Sequence, residues 1–170
     1  MAKAKPVILI AISIILSCAS CTSSRPAAPS SLLGLTIGME RSSALARLAE
    51  LGTLQRDERK DQQLWMLNDT SRFYSLAIGF NHENRVRFVT AFADKEQSDD
   101  RLTFSSVGDL QRAKSEIVGP HHRYTWDVDQ RSGLEPYEVT VYGDNPDFVT
   151  MYTITERRDK SAANADDDDD

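Results

Sequence analysis

The chain has 170 residues, with 20 Lys+Arg against 26 Asp+Glu and a formal net charge of −6. That balance argues against a nucleic-acid ligand, because phosphate contacts need clustered Lys and Arg. Both cysteines fall within the first 21 residues, so the remainder has no disulfide or thiolate metal site and must rest on an apolar core.

The first residues carry their own pattern. Lys3 and Lys5 give a basic start, Pro6 follows, and Val7 to Leu16 is an unbroken apolar run that ends in Ser17-Cys18-Ala19-Ser20-Cys21. A basic start, a short apolar core and small residues at the cut site make a secretory signal over residues 1–17. The run is about half the roughly 20 residues that a membrane-spanning helix needs. A buried core helix is disfavoured because nothing polar gives the run a solvent face. Ile15-Leu16-Ser17-Cys18 resembles the bacterial lipobox, with an aliphatic residue three before the cysteine and a small one directly before it.

That resemblance implies a diacylglycerol thioether on Cys18, cleavage after Ser17, and acylation, for example by palmitate, of the new amino terminus. Cys21 suits the motif less well, since Cys18 would stand at its aliphatic position. The alternative is a secreted protein with a Cys18–Cys21 disulfide. Ala19, rather than Asp, after the cysteine implies the outer membrane, on its periplasmic face. Two acyl chains suffice for stable anchoring. Loss of residues 1–17, which hold two lysines and no acid, takes the net charge to −8.

Residues 18–31 form the lipidated cysteine and a Ser/Pro/Ala tether with too little apolar surface to fold. Residues 159–170, ending in five aspartates, read as a disordered acidic tail. They lack the alternating ligands and turn glycine of a calcium loop. Residues 32–158 remain as one small domain or two very small subdomains, large enough for one shared core.

Within that domain a helix–strand–strand–strand pattern occurs twice. Met39 to Leu51 reads as a helix, with Ala44, Leu45, Leu48 and Leu51 at three- and four-residue spacing and Gly52 as its stop. Gln63 to Leu67 is a tryptophan strand. Phe73 to Phe80 and Val86 to Ala93 follow as a hairpin around Asn81-His82-Glu83-Asn84, with Val86, Phe88 and Phe92 sharing a face. In the second half Val107 to Val118 reads as a helix with Leu110, Ala113 and Ile117 on one stripe, capped by Ser105 or Ser106 and stopped by Gly119-Pro120. Arg123 to Val128 is its tryptophan strand. Tyr137 to Val141 and Phe148 to Ile154 pair around Gly143-Asp144-Asn145-Pro146.

The offsets Gly52 to Gly119, Trp65 to Trp126 and Phe88-Val89-Thr90 to Phe148-Val149-Thr150 support a repeat, spanning residues 35–94 and 104–157. The expected fold is α+β: two tandem helix–β–β–β units forming an antiparallel sheet with helices packed on one face. Its core would come from Leu45, Leu48, Leu76, Ile78, Phe80, Phe88, Leu110, Ile117, Val139, Val141 and Ile154.

Leu35-Thr36-Ile37-Gly38-Met39, Leu51-Gly52, Trp65, Leu76 to Phe80 and, in the second half, Val118-Gly119-Pro120, Trp126 and Val139 to Tyr142 carry a resemblance. The pattern resembles the small outer-membrane lipoproteins of the SmpA/OmlA (BamE) type and the tandem β-lactamase-inhibitor-protein fold. The inhibitor branch implies an open sheet face that grips a partner. Trp65, Trp126, Tyr124, Tyr142 and Met151 are of the aromatic and soft types enriched at interfaces, with packing under loops as their alternative role.

No chemistry of catalysis is legible. The neighbours His121-His122 would point to opposite faces of any strand, no third ligand stands at zinc spacing, and the pair reads as turn surface. His82 is alone in a turn. Glu135 and Glu138 read as solvated charge, and there is no nucleophile elbow or phosphate loop. Asn68-Asp69-Thr70 matches an N-glycosylation acceptor, without consequence in a bacterial envelope. The expectation is a non-enzymatic module, without cofactor or metal, that is held by lipid and binds an envelope protein. The resemblance includes an accessory role in outer-membrane protein assembly. The alternative is an inhibitor or immunity lipoprotein that blocks a periplasmic hydrolase.

Overall fold

A computed structural model of the chain describes residues 28–59, 61–68, 72–93, 101–129 and 135–157. Cys18, the signal, most of the tether and the acidic tail lie outside the described residues. The chain folds as α1 (Arg41–Leu51), then strands β1 (Gly52–Arg59), β2 (Gln62–Leu67), β3 (Phe73–Phe80) and β4 (Val86–Ala93). A single helical turn, α2 (Phe104–Val107), and a 3-10 turn (Leu110–Arg112) lead into β5 (Lys114–Val118), β6 (His121–Val128), β7 (Tyr137–Gly143) and β8 (Met151–Glu156). All eight strands form one antiparallel sheet in the order β1-β2-β3-β4-β8-β7-β6-β5.

This corrects the expected pair of helix–β–β–β units. The described residues hold one helix of any length, and the predicted second helix is replaced. Leu110, Ala113 and Ile117 do recur at helical spacing, but Lys114–Val118 pairs residue by residue with His121–Thr125. Gly119-Pro120 is therefore a hairpin turn rather than a helix stop. Gly119 sits at φ +61° and the proline ring holds the next residue near −65°, the combination of a two-residue type II′ loop.

The first half also gains a strand the reading left out. β1 lies at the sheet margin, where a strand need not show the apolar alternation that announces one.

Each half is a four-stranded meander, and the two join where β4 runs antiparallel to β8. At the centre of that seam the Thr90 and Thr153 hydroxyls lie 3.0 Å apart. Trp65 stands opposite Leu76, and Trp126 opposite Val139, in matching places of the two meanders. The other expected equivalences do not match: Gly119 lies in the β5–β6 turn, and Thr153 rather than Thr150 faces Thr90.

Facing residues share a side of the sheet, and one side is buried. Val89, Ile154, Val139 and Trp126 form one continuous row across β4, β8, β7 and β6, and Leu76, Ala91, Tyr152 and Val141 form the next. Over these rows lie Ala28, Leu32, Leu35 and Ile37 of the leading segment, Ala44 and Leu48 of α1, and Phe104 and Val107 of α2. α1 has no side-chain cap. Its first N–H is satisfied instead by the β3–β4 turn, where Arg41 N donates to Asn84 O at 2.8 Å. The Asn81 side chain shapes that turn by accepting from the Glu83 and Arg85 amides at 3.1 and 2.9 Å.

Several expected core members change place. Leu48, Leu76, Ile78, Phe80, Val139, Val141 and Ile154 are buried, while Leu45 and Leu110 only flank the cluster. Ile117 is 74% exposed on β5. Phe88 and Phe92 face away from the core, because β4 turns its smaller residues Val89, Ala91 and Ala93 inward.

Trp126, 1% exposed and with its indole N–H donating to Asp109 O at 2.9 Å, anchors α2 and the 3-10 turn to the sheet. Trp126→Ala should cost about 3–5 kcal/mol, whereas Ile117→Ser should stay within about 0.5 kcal/mol of the parent. Urea unfolding of the two variants measures both.

Candidate functional site

The opposite side of the sheet remains unsealed. None of its large apolar side chains reaches full burial, although an antiparallel sheet with one solvated side usually turns polar residues outward. Two rows define it. Met66, Ser75, Phe92, Met151, Tyr142, Arg123 and Glu116 succeed one another from β2 to β5, and beside them run Leu64, Ala77, Thr90, Thr153, Thr140, Thr125 and Lys114.

The face divides by chemistry. Over β2, β3, β4 and β8 it is apolar, with Leu64, Met66, Phe88, Phe92 and Met151. Phe92 lies against Tyr74 at a ring separation of 6.4 Å. Phe88 lies flat over Gly79, where any side chain would collide with its ring. The Arg87 guanidinium stands 5.3 Å from the Phe88 centroid, within cation–π range.

Over β7, β6 and β5 the face is charged, and the cations Lys114 and Arg123 each have a carboxylate partner. Arg123 is held between the Tyr142 hydroxyl and the Glu116 carboxylate, whose hydrogen bonds, that of Tyr142 foremost, push its pKa above the ordinary value. Lys114 is shifted the same way by its hydrogen bond to Asp127 and by that carboxylate's charge. Across both halves runs the threonine row, Thr90, Thr153, Thr140 and Thr125. Thr125 and Thr140 hydroxyls lie 3.3 Å apart, and Thr140 donates to Glu138 Oε1 at 2.9 Å. Hydroxyls that already bond one another lose little when a partner displaces water from them.

The residues expected to bind a partner separate in the structure. Trp65 and Trp126 are both buried, at 7% and 1% exposure, so neither is presented to a partner; their indole N–H groups are met by Gln63 Oε1 and Asp109 O. Tyr124 packs on the same buried side, 4.8 Å from Phe104 and 6.5 Å from Trp126. Tyr142 alone of the four lies on the open face, directly opposite Met151.

Phe88 was expected in the core, on a face shared with Val86 and Phe92, but the register shift between Gly79 and Phe80 puts Val86 on the buried side and both aromatics on the open one. The signal that places them outside is the alternation Val89-Ala91-Ala93, which must face inward together.

His121 and His122 occupy opposite sides of β6 as neighbours on a strand must, with His121 Nδ1 at 2.9 Å from Asp144 Oδ1. Among the described residues no group of three or more His, Cys, Asp or Glu side chains could hold a metal, and no helix is long and apolar enough to cross a membrane. A cavity of about 510 Å³ opens at one end of the sheet, between the Thr36–Met39 segment and the β3–β4 turn. Its charged lining is Glu83, Glu135, Glu156 and Arg85, and Arg85 is tied to Gly38 O at 3.1 Å. It presents no nucleophile paired with a base.

Comparison with known proteins finds no match: no family model, no curated protein and no solved structure aligns with the chain.

Tyr152 is the strongly perturbed group of the buried side. Its hydroxyl has no hydrogen-bond partner, and burial, followed by the neighbouring Tyr137, raises its pKa far above the ordinary 10.0. The fold therefore favours the neutral phenol. Its contribution is intact below pH 10 and is lost as the pH rises further, because only the unfolded chain can ionise there. Tyr152→Phe should raise stability at pH 7 by about 1 kcal/mol, through removal of an unsatisfied buried hydroxyl. It should also flatten the alkaline loss above pH 10 in denaturant titrations.

Proposed function

We propose that this chain is a lipid-anchored binding module of the bacterial cell envelope, tethered through Cys18 and engaging an envelope protein with its open sheet face. The supporting observation is the composition of that face. A solvated side that gathers Leu64, Met66, Phe88, Phe92, Met151 and Tyr142, all short of full burial, presents the residue types of interface cores.

The tether fits this reading. Ala28 already packs in the core, ten residues after Cys18, so the domain would stay within about 35 Å of its anchored cysteine. Ala28 belongs to the layer that covers the buried side, away from the open face. Binding at that distance gains local concentration without new contacts. The partner contemplated is one engaged in outer-membrane protein assembly.

Two experiments test the proposal. Growth with a labelled fatty acid should mark the parent protein and not Cys18→Ser, and the variant should lose its diacylglycerol thioether in mass spectrometry; an unlabelled parent removes the anchor.

For the face, a photo-crosslinker at Tyr142 should give one defined adduct with a barrel-assembly component. The adduct should disappear in Met151→Lys, while stability changes by less than about 1 kcal/mol. Recovery of a soluble hydrolase whose activity falls on binding would replace the assembly reading with inhibition.

A further inference from the structure

The two margins of the sheet are unlike. β1 is broken by register shifts between Leu54 and Arg56 and between Asp57 and Arg59, and such bulges block the addition of another strand. β5 is regular through all five of its pairs with β6, and every one of its residues is exposed. No described strand lies beyond it. Ile117 and Val118 project there at 74% and 44% exposure.

The hairpin turn fixes which backbone groups point outward. In a two-residue loop the flanking pair, here Val118 and His121, exchanges hydrogen bonds, and the alternation of an antiparallel ladder extends from it. Val118, Glu116 and Lys114 therefore bond inward to β6. Ser115 and Ile117 aim their N–H and C=O away from the sheet, as a template for one more strand.

Charge selects what fits the template. Lys114 and Glu116 stand on the same side of β5, one residue either side of Ser115, and are backed by Asp127 and Arg123. We propose that β5 pairs antiparallel with β5 of a second copy of this chain, about a two-fold axis at Ser115. Each Lys114 then faces Glu116 of the other copy. The row Asp127–Lys114, continued by Glu116 and Arg123 of the second copy, alternates in sign throughout.

Centring on Glu116 would oppose like carboxylates, which is destabilising. Centring on Ile117 would leave the lysine and the carboxylate facing Pro120 and Val118. Because only one margin can pair, the contact closes as a dimer and does not propagate into a fibre. A five-residue strand buries less than a standard interface, so occupancy depends on local concentration. That dependence, and not the pairing itself, rests on the membrane anchor.

The test is oxidative crosslinking of the full chain in membranes, in a Cys21→Ser background. Ser115→Cys should form a covalent dimer, because directly opposite bonded residues lie about 5.5 Å apart, inside the disulfide range. Ile117→Cys should not, its counterpart being about 13 Å away. Ser115→Pro in the native chain should abolish self-association without lowering the melting temperature, since β6 does not use the Ser115 N–H.

A dimer in the Ser115 parent would report an unacylated Cys18, a failure of the anchor reading alone. The difference between Ser115→Cys and its parent still decides the edge. Absence of that difference, a stronger crosslink at Ile117→Cys, or a crosslink to a different protein would overturn the proposal.

Discussion

The pairing of β4 with β8 is the constraint on which the molecule depends. Each meander alone is a four-stranded sheet with a fragment of a cover: an eleven-residue helix and a leading segment on one side, a helical turn and a 3-10 turn on the other. Five register pairs across the seam, from Phe88–Thr155 to Phe92–Met151, turn two thin layers into one surface. Under it Val89 and Ala91 of one half meet Ile154 and Tyr152 of the other. These contacts link residues more than 60 positions apart, so they form only after a large loss of chain entropy. The core they create must offset that loss for both halves together.

With a single cover, the sheet is asymmetric. All of α1, α2 and the leading segment go to one side, and the chain has no further described element for the other. The second side is adapted to partial exposure. Threonine hydroxyls bond each other, the cations over β6 and β5 are each matched by a carboxylate, and Phe88 lies flat where Gly79 gives it room. Such a face is held in shape by its own contacts. That makes it suited to binding by complementarity rather than by folding onto a partner. The sheet's margins are asymmetric too, with bulges guarding β1 and none guarding β5. The two proposed contacts, one at the face and one at the edge, would thus use different parts of the sheet.

Much of the local structure was legible from the residues. The alternation in Phe73 to Phe80, the turn at Asn81 to Asn84 and the helical spacing of Ala44 and Leu48 each rest on forces within a few residues, and the folded chain keeps them. The failures share a cause. Leu110, Ala113 and Ile117 fit a helical stripe, yet a stripe stabilises a helix only if something covers it, and β6 offered a ladder instead. Phe88 read as core, on one face with Val86 and Phe92, whereas the inward side of β4 was settled by its neighbours on β3 and β8. β1 went unassigned because an edge strand need not be apolar.

The sequence by itself determined the local periods, the turn sites, the acidic balance and the lipobox-like segment around Cys18, since each depends on residue chemistry at short range. Tertiary structure alone decided that the two meanders share one sheet, that both tryptophans are buried while Tyr142 and Met151 meet on the open face, and that Ser115 and Ile117 present a free edge. The physical reason is register. A strand's pattern says that it has two sides, but only its partners across the sheet say which side is covered.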